Sequence, residues 1–151
     1  QKNIRKLQKK KNQSENTKNI KKQKRQVRKK HKMHELGIVF SIINSVENVA
    51  KENNVKHVDV VELEIGEVST IVNSYLEDCW KWAVNRTEIL KDCELKIDVI
   101  KAINICEDCG EKYSAMSYGR TCPKCLSSHT HIIQGTEVNI KNIMVNEDEE
   151  L

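Results

Sequence analysis

Four of the six cysteines fall in two Cys-x-x-Cys pairs, Cys106/Cys109 and Cys122/Cys125, with twelve residues between the pairs. Two such knuckles, joined by a polar loop containing glycine, bring four thiolates to one tetrahedral point, a donor set that suits Zn2+. Gly110, directly after Cys109, can take the positive φ that turns backbone N–H groups toward the sulfurs. Pro123 stiffens the second knuckle, and Lys112, Arg120 and Lys124 bring positive charge near four thiolates around one divalent ion. A disulfide pair and an iron–sulfur centre are the competing readings of these residues. Free thiolates point to a reducing compartment, so a cytoplasmic setting is expected. Cys79 and Cys93 have no such partner; Cys79 lies on the apolar side of an expected helix, as a buried inert thiol would.

A second donor set is Met33-His34-Glu35. If residue 33 carries a free amine, that amine, the deprotonated His34 backbone nitrogen and His34 Nδ1 close adjacent chelate rings. Nitrogen donors held in one plane favour Ni2+ or Cu2+ over Zn2+, and Glu35 offers a further ligand. The plainer reading makes His34 and Glu35 polar residues of a first helical turn, where the helix dipole favours an acid. His129 and His131, just past the second knuckle, read as exposed loop residues. The alternative is that one of them enters the zinc shell when a cysteine leaves.

Charge divides the chain. Residues 1–32 hold fifteen Lys/Arg against one acid, Glu15, whereas residues 33–151 hold eleven against twenty-one. The basic segment is poor in apolar residues and lacks aromatics, so it is expected to be disordered. It has no apolar core of a secretory signal, and no stretch reaches the ~18 apolar residues of a membrane span. The first methionine, Met33, coincides with the change in composition, so 1–32 is expected to be a non-native or upstream-translated extension. A nucleic-acid-binding arm is the alternative.

These donors need a scaffold, and hydropathy periods supply one. Leu36, Val39, Phe40, Ile43, Val46 and Ala50 recur at helical spacing up to Asn53-Asn54. Val61, Leu63 and Ile65 alternate with Glu62 and Glu64 as in a strand with one buried face, closed by Gly66. A second helix is expected from about Ser74, where Ser74 and Glu77 fit a capping box, with Tyr75, Leu76, Cys79, Trp80 and Ala83 inward. Leu95, Ile97 and Val99, then Val138 and Ile140, mark two further strands on either side of the cysteine region. The expected fold class is α/β (α+β): a small sheet packed against two helices, with an inserted zinc-ribbon-like module. The expected units are the 1–32 extension, an α/β domain of 33–104 plus 136–145, a zinc domain of 105–135, and an acidic tail of 146–151.

Met33-His34-Glu35-Leu36, Ile65-Gly66-Glu67, the two Cys-x-x-Cys pairs and Gln134-Gly135-x-Glu137, in this order, closely resemble the HypA family of nickel metallochaperones. The resemblance covers residues 33–145. It implies transferable Ni2+ at His34, with Met33 (through its amine when N-terminal) and Glu35, and structural Zn2+ at Cys106, Cys109, Cys122 and Cys125. It also implies delivery to the large subunit of NiFe hydrogenase with the GTPase HypB. Urease and its accessory proteins are a second implied destination. The protein is expected to be a monomer or a weak homodimer, with no membrane partner and no nucleic acid. Where other members carry an acid shortly after Gly-Glu, this chain has Val72-Asn73, so no ligand is assigned there. Glu67 reads as a turn or surface residue. An enzyme is not expected: four cysteines fill a zinc shell and leave no position for water. The remaining alternative is a zinc-ribbon nucleic-acid or interaction module using the basic arm, although the folded part is acidic and repels phosphate.

Overall fold

The computed structural model describes residues 2–146, with side chains from residue 14 onward. The elements in order are α1 (Lys2–Glu52), β1 (Val60–Gly66), α2 (Asn73–Val84), β2 (Glu94–Ile100), β3 (Ile103–Cys106), β4 (Lys112–Ser114), α3 (Ala115–Tyr118), β5 (Thr130–Gln134) and β6 (Val138–Met144). They form two three-stranded sheets, ordered β2-β1-β6 and β4-β3-β5. In the first, β1 is central, parallel to β2 and antiparallel to β6. The parallel pair needs a crossover, and α2 supplies it.

The core lies between that sheet and the two helices. Val39, Ile42, Ile43 and Val46 of α1 meet Val61, Leu63 and Ile65 of β1 and Leu76, Trp80 and Ala83 of α2. Trp80 donates its indole N–H to the Cys93 carbonyl at 2.9 Å, so the largest buried side chain leaves no polar atom orphaned. The opposite face is solvated, with Lys141 of β6 bridging Asp98 and Glu62. Asn54, at φ 57, turns the chain out of α1 where Asn53-Asn54 was expected to end it.

Three expectations are corrected. The described part of residues 1–32 is helix, continuous with α1. Lys, Gln and Arg are good helix formers, no Gly or Pro precedes Gly37, and a helix seeded on the core face propagates one hydrogen bond at a time. Val99 is 50% exposed and Phe40 42%, because β2 is an edge strand and Ile42 takes the inward place on α1. No capping box forms: Val72 is the N-cap of α2, without a side-chain cap, so Ser74 already lies inside the helix. The acidic run 147–150 lies outside the described residues. Among those described, no helix is long and apolar enough to cross a membrane.

Cys93 is 4% exposed, and burial pushes its thiol up to about 11. A raised thiol pKa stabilises the fold fully below the unfolded value of 9.0, and the gain is lost as pH rises through the folded value. We therefore expect the stability difference between wild type and Cys93→Ala to narrow by on the order of 2 kcal/mol from about pH 9 to about pH 11. Urea midpoints across that range would show it; a constant difference would contradict it.

Candidate metal centres

The β4-β3-β5 sheet carries Cys106 at the end of β3 and frames the connections that carry Cys109, Cys122 and Cys125. Cys106 ends β3, and its carbonyl accepts the Gly110 N–H at 2.9 Å, closing the first knuckle; Cys122 and Leu126 close the second at 3.0 Å. Gly110 and Leu126 occupy matching positions and both take positive φ, 75 and 61. Leucine pays roughly 1–2 kcal/mol for that backbone, a cost glycine avoids. The four Sγ atoms lie within 4.8 Å of one another, Cys106 and Cys125 at 3.5 Å and Cys109 and Cys122 at 3.6 Å. A tetrahedral Zn–S4 centre with bonds of about 2.3 Å has sulfurs roughly 3.8 Å apart, whereas a disulfide needs about 2.05 Å. All four are free thiols, and the donor set fits zinc.

Backbone dipoles prepare the set for a cation. Burial opposes ionisation of Cys122, yet the N–H groups of Cys125 and Lys124 bring its thiol down to about 7. The Ser127 N–H favours the Cys125 thiolate, but Cys106 and burial outweigh it and push that thiol up to about 12. Metal must displace the protons that remain, so affinity falls as pH falls. Lys124 pairs with Glu111 at 3.7 Å. His131 Nδ1 is 2.9 Å from Glu107 Oε1, and His129 Nδ1 is 3.3 Å from Asp108 Oδ2, which also accepts from the Ser127 hydroxyl. Both imidazoles thus face acids beside the first knuckle, and the four-ligand cluster consists of cysteines alone.

Met33 lies inside α1, where its nitrogen is a helical peptide nitrogen; the amine donor was expected only of a chain beginning at Met33. Its side chain is 76% exposed and lines an open groove of about 590 Å3 with Leu36, Cys79 and Trp82. His34 is half-exposed, its Nδ1 3.8 Å from Glu35 Oε1. Glu35 is not a first-turn surface acid. It is 0% exposed, since it shares the inward stripe of α1 with Val39, Ile42 and Val46. Its Oε1 accepts the Val72 N–H at 3.0 Å, and Oε2 has no partner among the described residues. Ser69 Oγ and Asn73 Oδ1, from the segment that meets Glu35, are likewise buried without partners. Burial, and after it the Glu35 carboxylate, push the Cys79 thiol up from its ordinary value.

A buried polar group left short of hydrogen-bond partners is costly. His34 Nδ1 stands 3.8 Å from Glu35 Oε1, so one cation can be held between the imidazole and this carboxylate. With metal–ligand bonds of about 2.1 Å, two donors on one ion stand about 3 to 4 Å apart, which the His34–Glu35 spacing meets. Sequence patterning missed the Val72 amide, because a backbone donor leaves no residue-type signal. The burial of Glu35, by contrast, was readable from its place in the stripe.

The model of the HypA family, described as hydrogenase/urease nickel incorporation metallochaperones, matches residues 33–145. The hydrogenase maturation factor HypA of Prosthecochloris aestuarii is 33% identical over 108 residues, covering 72% of this chain and 95% of that protein. The HypA of Methanococcus aeolicus is 34% identical over 115 residues, covering 74% and 93%. The solution structure of the Ni metallochaperone HypA from Helicobacter pylori superposes with a TM-score of 0.55 at 30% identity, covering 72% of this chain and 94% of that one.

Proposed function

Because the chain belongs to the HypA family of nickel metallochaperones that serve hydrogenase maturation, we propose that it takes up Ni2+ at His34 and Glu35 and holds Zn2+ at its four paired cysteines. The observation that carries the nickel site is the buried, incompletely hydrogen-bonded Glu35 carboxylate with the half-exposed His34 imidazole 3.8 Å from its Oε1. The α1, α2 and β2-β1-β6 layer then handles the cargo, and the cysteine module is structural. A tetrathiolate holds its ion for the life of the fold. A half-exposed site at a helix surface can release one, as transfer requires. Protons compete with nickel for the imidazole, so acid weakens binding and favours release. A chain beginning at Met33 would add its amine to the ligand set.

The recipients proposed are the large subunit of NiFe hydrogenase, with HypB as the GTPase partner, and urease as a second destination. The task is delivery of an ion, which needs no nucleophile or open zinc position.

The test is calorimetric titration of Ni2+ into zinc-loaded protein. Loss of a partner behind a metal ligand already costs 10–100-fold in affinity, so loss of the ligand in His34→Ala is expected to cost about 100-fold or more. Glu35→Gln, which keeps the shape and removes the charge, is expected to weaken binding as well. Equal affinity in wild type and both variants would move the nickel site elsewhere.

A further inference from the structure

The Gly-Glu and Gln-Gly-x-Glu motifs contribute to neither donor set, yet the fold brings them together at the junction of the two sheets. The chain leaves β2 for the cysteine module at Ala102 and returns to β6 at Gly135. Glu67 Oε2 accepts the Ala102 N–H at 2.8 Å, and the Ala102 carbonyl accepts the Ala115 N–H of the module at 2.9 Å. On the return crossing, Glu137 Oε2 accepts the Gly135 N–H at 2.7 Å, and the Gly135 carbonyl accepts the Val68 N–H at 3.0 Å. Both crossings are thus fastened to the segment that starts at Glu67. Five residues on, that same segment ends at Val72, whose N–H holds Glu35 Oε1.

We propose that Glu67 is a positioning residue for nickel: anchored on the Ala102 amide, it places the Val72 N–H that orients the Glu35 carboxylate, and so ties the nickel site to the folded state of the cysteine module. This rests on the reading of Glu35 as a nickel ligand. The route runs through the Ala102–Glu67 hydrogen bond, along the backbone from Glu67 to Val72, and through the Val72–Glu35 hydrogen bond. The other fastenings, from the Gly66, Glu67 and Val68 N–H groups to the Glu137, Ile100 and Gly135 carbonyls and at the Glu137 carboxylate, hold the junction without a side chain of the segment itself. The Glu67 carboxylate is therefore the point where the link can be cut without touching either donor set.

The experiment uses the full chain, zinc-loaded, with the Val72 amide read by NMR and hydrogen exchange before nickel is added. In Glu67→Ala the Val72 resonance is expected to move and its exchange to quicken. Nickel affinity is expected to fall about tenfold, as for partners behind a metal ligand, with zinc content unchanged. Glu67→Gln keeps an oxygen that accepts from Ala102 and is expected to restore both readouts to near wild type. Removing zinc from wild type is expected to move the Val72 amide too, and to move it far less in Glu67→Ala. An unmoved Val72 amide in Glu67→Ala overturns the link, as does a loss of nickel affinity that Glu67→Gln shares in full. Glu35→Gln separates the two ideas: nickel affinity unchanged there sinks the ligand reading, whatever the Val72 amide does in Glu67→Ala.

Discussion

Stripping the metal, or replacing Cys122 with serine, is expected to melt residues 103–134 while α1, α2 and the β2-β1-β6 sheet stay folded. The reason lies in how little the module buries. Its apolar cluster is Cys106, Tyr113 and Cys122, and two of those three belong to the proposed zinc set. Burying Tyr113 contributes about 2 to 3 kcal/mol, whereas a structural zinc contributes on the order of 10 kcal/mol. The ion therefore decides whether strands of three to five residues persist. The main layer has its own sixteen-residue buried cluster and needs no metal. Amide hydrogen exchange distinguishes the two: the Cys122, Leu126 and Cys106 amides should lose protection with the metal, while those of Leu63, Ile65 and Trp80 keep theirs. Protection retained throughout the module after complete zinc removal would show that its fold is metal-independent.

Gly66→Ala should be strongly damaging. A Cβ on residue 66 would stand 2.0 Å from the Gly135 carbonyl oxygen and 2.5 Å from the Thr136 nitrogen. These are backbone atoms, and both strands are fixed by hydrogen bonds: Gly66 N–H to the Glu137 carbonyl at 2.7 Å and Val68 N–H to the Gly135 carbonyl at 3.0 Å. Relief requires moving β1 away from the return crossing, so a loss of about 3 kcal/mol or more is expected. For a unit of this size that is a fall of about 10 °C in Tm. Gly37→Ala is the internal comparison. Nothing lies within 4 Å of a Cβ there, inside α1, and the variant should gain about 0.5 to 1 kcal/mol. Thermal melts of the two variants side by side check both signs; a Gly66→Ala protein as stable as wild type would mean that the crossing yields freely.

Much of the main layer was legible because its burial is one-sided. Val61, Leu63 and Ile65 alternate with acids and are at most 1% exposed, as a central strand under two helices demands. The same alternation in β2 overstates burial, since an edge strand lets Val99 reach solvent. The four cysteines were legible from spacing alone, since a metal imposes its geometry on the chain. The strands between them were not, because Ile103–Cys106, Lys112–Ser114 and Thr130–Gln134 are too short and too polar to carry a period. The helical character of the basic segment was missed because composition measures what a segment can bury, not whether a neighbouring helix extends into it. The roles of Glu67 and Glu137 were hidden for another reason: each accepts from a backbone amide made available by a crossing between sheets, which only the assembled chain contains.

Ile103 and Gln134 are directly opposed in the β3–β5 register. The ends of the inserted segment are therefore about one strand spacing, ~5 Å, apart. A gap that small can be closed by a tight turn, and closing it leaves the β2-β1-β6 order unchanged. Residues 103–134 are thus an insert that enters and leaves the chain at two adjacent points. The residues proposed to hold nickel, His34 and Glu35, lie outside this insert and meet it through the junction at Ala102 and Glu67.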